Sequence, residues 1–591
     1  MKAVLPEGTN PKPLWQEVAE HWDANDQTAE RDRKLDPWRL APMVPTDLFA
    51  AVGYLSKVSG LIGFFDPSPY RTDNEQCEFT LTKEQRKAAD QAASAWREES
   101  AQGVPPEFVQ ELWECLLDCW GKDITSGSYL ETGEGPPDWW RTALLLVMIA
   151  DMACNRILRD PLRVYGVGPF EDWMKLLYQT TLNRSDVTGS GEHHDRPPPS
   201  LGIMADSSVV CVLPKVRVSP VGATMRNVSR NLSLLPGRSE VRCFWETPIN
   251  VAPAESSDSL DILLIPEPRK ISAADFIESG FTENQDPDRH YWMKDWSTFR
   301  INQTWITKGA ARDRFLNLCE LLITRAKKES RTINGVILPE YALDWDTFQK
   351  LCERLKEKEP SLDFVISGTS EDCNHRHGNH VMTRIWYIGE DVELTQSRRK
   401  HHRWRMDRSQ VENYALTGAL NPRIKNWWED TPLTQRQVHF QRFRERSVFA
   451  VLICEELARS EPCHDILRSV APNLIFALLL DGPQIKQRWP AQYASNLADD
   501  PGSAVLTFTS YGLIDRANEQ GHHTANRSIA LWKDDTGRVV EIGMPQGGEM
   551  AGVVLSLWSD QVIDRTITGK QSEALSWRYA SHVPVTVSLG S

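Results

Sequence analysis

The sequence predicts a layered α/β protein with a mixed sheet, preceded by a helical segment. Three observations predict it. From about residue 205 onward, short apolar runs of strand length alternate with amphipathic stretches of helix length, the order that builds sheets covered by helices. Two pairs of runs flank tight-turn residues with period-two alternation, which marks hairpins and therefore antiparallel neighbours within the sheet. Residues 1 to about 200 are helical and irregular in texture instead. A chain of 591 residues also exceeds what one hydrophobic core serves, so two or more domains are expected.

In the first part, "LTKEQRKAADQAASAWREESA" (81–101) is an amphipathic helix pattern made of good helix formers. "PPEFVQELWECLLDCWGK" (105–122) reads as a second helix, with prolines at its start and glycine near its end. "PDWWRTALLLVMIADMACNRILRD" (137–160) is apolar on most faces and is expected to be central. "NRSDVTGSGEHHDRPPPS" (183–200) reads as a linker. The expected division is a helical N-terminal domain and linker over 1–200, a connecting segment over 201–254 and a catalytic α/β domain over 255–591.

In the α/β part the order is a strand at 260–268, a helix at 312–329, a strand at 334–340, a helix at 346–358 and a strand at 362–370. A hairpin follows around "GED" over 381–400, then a strand at 446–456, a helix at 463–472 and strands at 473–482 and 504–512. A hairpin at 526–542 turns on "DDTG", and a strand at 549–559 closes the series.

The formal charge of -14 argues against general binding to nucleic-acid backbone. Two local stretches are nonetheless basic, "SRRKHHRWRMDR" (397–408) and "QRQVHFQRFRER" (435–446). The opening "MKAVLPEGTNPKP" has no apolar signal-peptide core, and no run reaches the length of a membrane span. The eleven cysteines are scattered without framework spacing and read as reduced thiols. A cytoplasmic protein is expected, with no membrane association.

Three stretches carry the chemistry: "NGVILPEYAL", "SRRKHHRW" and "AVLICEELAR". Glu340, Lys400 and Cys454 each fall at the C-terminal end of an expected strand, where sites form in α/β sheets. A thiol needs a base to become a nucleophile. A carboxylate serves if burial raises its pKa, and a buried carboxylate in turn needs a cation beside it. That cation, with the backbone N–H of Glu455 that follows the cysteine, can hold the oxyanion formed when a thiolate attacks a carbonyl or nitrile. Each of the three alone has a plainer reading: a buried apolar cysteine, a strand exit and a solvated lysine. "LLIPEP" places Glu267 in the same setting as Glu340.

The ordered triple resembles the three signatures of the nitrilase superfamily, a glutamate after strand-Pro, a lysine after a strand and a cysteine at a strand-to-helix elbow. "FVISGTSE" (364–371), "NRSIALWKDDTGRVV" and "VENYAL" are similar to further segments of that family, and the resemblance spans roughly 255–570. It implies an αββα sandwich that pairs into a four-layer homodimer or larger assembly. It also implies a cysteine-dependent carbon–nitrogen hydrolase acting on a small amide or nitrile, without cofactor. The implied roles are Glu340 as base, Lys400 with the Glu455 N–H as oxyanion donors, and Glu412 as the residue that positions Lys400 or orients the substrate.

"VCVLPKVRVSPVGATMRNVSRNLSLLP" (210–236) resembles, more weakly, a segment that precedes the nitrilase-like domain in bacterial proteins associated with antiphage reverse transcriptases. A separate reverse transcriptase is then an implied partner, and a noncatalytic scaffold or sensor subunit is the alternative function. "CNHRHGNH", with Cys373, His375, His377 and His380, has ligand residue types but no closed-site spacing, and reads as a polar loop and not a metal site. The long polar and aromatic segment "DPDRHYWMKDWSTFRINQTW" reads as a lid or pocket wall.

Overall fold

Local chemistry sets where the elements begin and end. Helix α1 (Pro45–Ser59) starts on proline, whose fixed φ suits a first turn, and stops at Gly60, whose φ of 72° is left-handed. Helices α2 (Lys83–Glu99), α3 (Glu107–Leu117) and α4 (Asp138–Ala153) follow. The computed structural model describes residues 1–6, 8–9, 38–68, 78–99, 105–124, 136–155, 200–238, 241–246, 258–279, 295–330, 332–387, 392–433, 436–521, 524–546 and 550–588. The expected linker at 183–200 lies outside them except for Ser200, as do residues 286–294 of the expected lid or pocket wall and the "GED" turn.

The chain forms two units. The first comprises Met1–Ala252 with Ile466–Ala471 and Ile563–Ala574, and the second comprises the rest. In the first unit, α4 is buried on nearly every face, as its sequence predicts. Its Asp151 is buried too, because its carboxylate accepts from the backbone N–H groups of Arg230, Asn231 and Leu232 at 2.7, 2.8 and 2.8 Å. Those bonds fix the start of β2 (Leu232–Pro236), which pairs antiparallel with β1 (Val210–Pro214). The described residues of the expected connecting segment group with the first unit. The first unit also recruits later chain: the Arg217 guanidinium donates to the Asp564 carboxylate at 3.3 Å, both buried.

The further strands, in chain order, are β3 (Ser259–Leu264), β4 (Phe276–Glu278), β5 (Trp296–Ile301), β6 (Gly335–Ile337), β7 (Phe364–Glu371), β8 (His377–Tyr387), β9 (Val392–Arg399), β10 (Arg405–Asp407), β11 (Asn426–Glu429), β12 (Gln437–Arg444), β13 (Ser447–Ile453), β14 (Leu474–Leu479), β15 (Ala504–Thr509), β16 (Ser528–Lys533), β17 (Val539–Gly543), β18 (Met550–Arg565) and β19 (Gln571–Val587). One sheet runs β9-β8-β7-β6-β3-β18-β19. Its centre, β7-β6-β3, is parallel, and antiparallel pairs flank it. In the other large sheet β17-β16-β15-β14-β13-β12 are consecutive, with β13, β14 and β15 parallel. Every residue of those three central strands is buried, which is why they read as continuous apolar runs and not as alternations.

The Phe364 ring of β7 lies 5.3 Å from that of Phe449 on β13 and 6.0 Å from that of Phe476 on β14, so the two sheets meet face to face. Helices α5 (Ala311–Glu329) and α6 (Trp345–Lys358) bury Leu316, Cys319, Leu351 and Leu355 in one cluster with Val336 and Val365 of the first large sheet. Helix α7 (Arg408–Asn413) is short, α8 (Trp489–Asp499) packs against β15 and β16, and α9 is Tyr511–Glu519. A third, small sheet runs β10-β11-β5-β4, and the sequence reading did not anticipate it. Its strands are three to six residues long and come from segments far apart in the chain, so no local pattern announces them. The mixed α/β architecture follows the sequence expectation. Among the described residues, no helix is long and apolar enough to cross a membrane.

Candidate active site

Glu340 stands just past β6, Lys400 just past β9 and Cys454 just past β13. The first two strand ends belong to one large sheet and the third to the sheet that faces it. The chain reaches Glu340 through a close crossing with β7. Leu338 N–H donates to Ile366 C=O at 2.9 Å, and Gly368 N–H donates to Pro339 C=O at 3.1 Å. A Cβ on Gly368 would sit 2.5 Å from the Glu340 Cα and 2.6 Å from the Tyr341 nitrogen, so only glycine fits. Tyr341 itself takes a left-handed φ of 57°.

The Lys400 ammonium donates to Glu340 Oε1 at 2.9 Å and to Glu429 Oε2 at 2.8 Å. All three side chains are buried, Lys400 completely. Asn379 Nδ2 bridges the same two carboxylates, donating to Glu340 Oε1 at 2.7 Å and to Glu429 Oε1 at 2.6 Å. Glu429 also accepts from Tyr341 OH at 2.8 Å and from Trp404 N–H at 2.9 Å. Among the described residues, every bond to Glu340 lands on Oε1, and Oε2 is buried with no hydrogen-bond partner.

Cys454 is 3 % exposed, at a φ of 45° between β13 and a short 3-10 turn, Cys454–Leu457. For a residue with a Cβ that backbone costs about 1–2 kcal/mol, and such strain gathers at functional sites. The turn is clamped by Glu456, which accepts from Ile453 N–H at 2.8 Å, from His401 N–H at 2.9 Å and bidentately from Arg398 at 2.9 and 2.7 Å. This explains the two glutamates after the cysteine. Glu456 ties the cysteine's turn to the lysine's strand, while Glu455 faces outward and pairs with Arg459 at 2.9 Å.

The electrostatics separate the three groups. Burial pushes the Glu340 carboxyl up; Lys400 opposes this and the Glu429 charge adds to it, and the net direction is upward. Burial opposes the Lys400 charge, but Glu340, Glu429 and Cys454 outweigh it and hold the ammonium well above its ordinary range. Burial, then the Glu340 charge, raise the Cys454 thiol well above its ordinary range against the pull of Lys400. The arrangement is a fixed cation, a carboxylate of raised basicity with one open oxygen, and a thiol that keeps its proton at rest. Both charges are felt electrostatically at the sulfur.

Glu412, expected to position Lys400 or orient the substrate, is not among the groups that bond Lys400. Asp407 caps α7, accepting from Gln410 N–H at 2.9 Å, and this helix turns Glu412 outward. Glu412 is half exposed and pairs with Arg408 at 2.8 Å, one helical turn back. Glu429 holds the lysine instead, from β11. Asn379, Tyr341 and Glu429 are the site residues that the sequence reading missed. The available signal was the inward position of Trp427 and Glu429 in "NWWE", a four-residue alternation. Glu267, the lookalike of Glu340, is buried, accepts from Arg269 N–H at 2.9 Å and is not among the groups that bond Lys400. Among the described residues no group of three or more His, Cys, Asp or Glu side chains is arranged to hold a metal ion, the "CNHRHGNH" loop included.

No protein-family model and no curated protein matches the chain. Several solved structures align with about half of it. The glutamine-dependent NAD+ synthetase from Acinetobacter baumannii aligns at 9% identity over 51% of this chain and 46% of that one, with a TM-score of 0.28. This chain thus spans less than half of the synthetase. Nit3 of Saccharomyces cerevisiae, a nitrilase-superfamily member, aligns at 16% identity over 49% of this chain and 89% of that one, TM-score 0.27. XC1258 from Xanthomonas campestris, a CN-hydrolase superfamily protein, aligns at 12% over 56% and 91%, TM-score 0.24. Scores and identities this low assign neither a family nor an activity to this chain.

Proposed function

We propose that the chain is a cysteine-dependent carbon–nitrogen hydrolase of nitrilase type, with an αββα sandwich as its catalytic domain. The observation that carries this reading is the open oxygen of Glu340, buried and unpartnered among the described residues while its other oxygen accepts two hydrogen bonds, within electrostatic reach of a strained cysteine. A buried polar atom left unsatisfied is costly, and such exceptions gather where chemistry needs a free lone pair.

In the proposed reaction Glu340 Oε2 takes the proton from Cys454 as Sγ attacks an amide carbonyl carbon. Lys400 and the Glu455 N–H donate to the oxyanion, each such donor being worth about 2.7–4 kcal/mol of barrier. The carbon–nitrogen bond breaks, and the amine leaves with the proton that Glu340 held. Water then gives its proton to Glu340 and attacks the thioester, the acid departs and the proton returns to sulfur. A nitrile takes up the thiol across its carbon–nitrogen triple bond to give a thioimidate; one water adds to that carbon, ammonia leaves, and the same thioester results. Glu429 and Asn379 are positioning residues: they hold Lys400 and Glu340 in one geometry. Sandwiches of this kind stacking in pairs make a four-layer homodimer, and light scattering that returns the monomer mass would remove that part of the reading.

The test is intact-mass measurement after incubation with panels of small amides and nitriles. An acyl adduct on Cys454, absent from Cys454→Ala, is the expected result. A Cys454→Ala chain that hydrolyses at the wild-type rate overturns the mechanism. One observation favours a noncatalytic scaffold instead: the thiol is 3 % exposed, and none of Glu340, Lys400 and Cys454 lines the open cavity beside Glu455. Alkylation decides between them, since a catalytic thiol reacts with iodoacetamide near neutral pH and a scaffold thiol stays inert.

A further inference from the structure

The two basic stretches of the sequence meet in one cavity of about 980 Å³. Arg403 and Arg405 come from the first stretch and Arg436 from the second; Arg459 joins them. The one carboxylate among the lining residues, Glu455, is already paired with Arg459 at 2.9 Å. Arg405 and Arg436 are exposed and have no hydrogen bond or ion pair among the described residues. A cluster of unneutralised guanidinium groups is unexpected in a chain of net charge -14, and it sets a local field that attracts anions.

The same cavity holds two indole rings. β5 and β11 are parallel neighbours, with Trp428 opposite Thr298, and β10 places Arg405 opposite Trp428. Alternation along these strands turns Ser297, Phe299, Met406 and Trp427 into the core and leaves Trp296, Thr298, Arg405 and Trp428 on the outer face. Trp296 is 48% exposed and Trp428 37%, and neither ring contacts another aromatic ring among the described residues. Two registers apart on adjacent strands, their Cα atoms are roughly 8 Å apart from strand spacing and rise. One planar ring stacked between two others needs about 7–8 Å between the outer planes. Ligand pockets run roughly 300–1,000 Å³, so this one has room for a ring and a charged group together.

We propose that this cavity binds a ligand that joins a flat heteroaromatic ring to a phosphate: the ring lies against Trp296 and Trp428, and the phosphate is held by Arg405 and Arg436. Planar guanidinium forks suit phosphate oxygens, and indole faces suit nucleobases without regard to sequence. A free nucleotide and the end of a single strand share this chemistry.

Binding to the full chain is measured by titration calorimetry with four probes: ADP, a short 5′-phosphorylated single-stranded oligonucleotide, adenosine and inorganic phosphate. The expected result is that ADP or the oligonucleotide binds at least about tenfold more tightly than adenosine or phosphate, with affinity falling as salt rises. ADP binding as well as the oligonucleotide identifies the free nucleotide as ligand; tighter oligonucleotide binding identifies a strand end. The double variant Arg405→Gln/Arg436→Gln and the single variant Trp428→Ala should each weaken binding by about tenfold, and these exposed side chains can be changed without unfolding the chain. No binding of ADP or the oligonucleotide, or binding that either variant leaves unchanged, overturns the proposal. The measurement follows binding and not hydrolysis, so its outcome is independent of the reaction proposed for Cys454.

Discussion

Replacing Glu429 by glutamine keeps the side chain's shape and removes its charge. The carboxylate accepts four bonds, two on each oxygen: Lys400 and the Trp404 N–H on Oε2, Asn379 and the Tyr341 hydroxyl on Oε1. An amide nitrogen in place of Oε2 would face two obligate donors, the Lys400 ammonium and the Trp404 N–H; in place of Oε1 it faces one, Asn379 Nδ2, because the Tyr341 hydroxyl can turn and accept. The better orientation forfeits the Asn379 bond outright, and hydrogen bonds to charged groups are worth about 1.5–3 kcal/mol each, so the loss is at least about 1.5–3 kcal/mol. A domain's whole stability is roughly 5–15 kcal/mol, and the urea midpoint of the transition that reports this unit should fall by a large fraction. A second effect is chemical. The Glu429 charge helps to raise the Glu340 carboxyl, so its removal lets that carboxyl titrate at lower pH. The assay is the pH profile of Cys454 alkylation, read by intact mass beside the urea midpoint. Glu429→Gln should lower the midpoint and move the acid limb of the profile to lower pH. An unchanged midpoint together with an unmoved limb would refute the shared-lysine account of the site.

Gly368→Ala should abolish thiol reactivity and turnover, because the added Cβ drives into the Glu340 backbone; near-wild-type alkylation would show that the crossing tolerates the shift. Arg398→Leu leaves Glu456 buried without its bidentate partner and should cost about 3–5 kcal/mol in urea unfolding, with a change below about 1 kcal/mol counting against the clamp. Burial raises the Glu456 carboxyl, but Arg398 and His401 together with the bonds from Arg398 and Ile453 bring it down to about 2. With a depressed folded pKa, its stabilisation is present above the unfolded value of 4.5 and is lost as pH falls toward 2, so the wild type should lose stability across that window. Arg398→Leu should flatten that limb. Glu340 must be ionised to take a proton, and its pKa is raised, so turnover should climb with pH beyond the ordinary carboxylate range; a rate already level at pH 5 would exclude it as the base.

How much was legible in the sequence follows from how local each signal is. Strands β13 to β15 and helices α5 and α6 declare themselves through runs and periods within one element. The positions of Glu340, Lys400 and Cys454 past their strands were legible because each strand end is marked within its own segment. Glu429 was not, because its strand has four residues and its partner lies far back in the chain, beyond any periodicity. Glu412 rested on the resemblance of "VENYAL" alone, while the capping pair Asp407–Gln410, also visible in "DRSQ", turns that helix and points the residue at Arg408. The exposed tryptophans of β5 and β11 were readable as aromatics but not as one face, since their common face depends on a parallel pairing between distant segments.

The discontinuity of the first unit constrains how this chain can be cut or made. A product ending at Ala252 would carry Arg217 without the carboxylate of Asp564 and Arg230 without its acceptors on Ser572 and Glu573. Those groups arrive only after most strands of the second unit have been synthesised. The N-terminal half therefore cannot finish folding on a ribosome that has read only that half, and limited proteolysis between the halves should leave two pieces that remain associated.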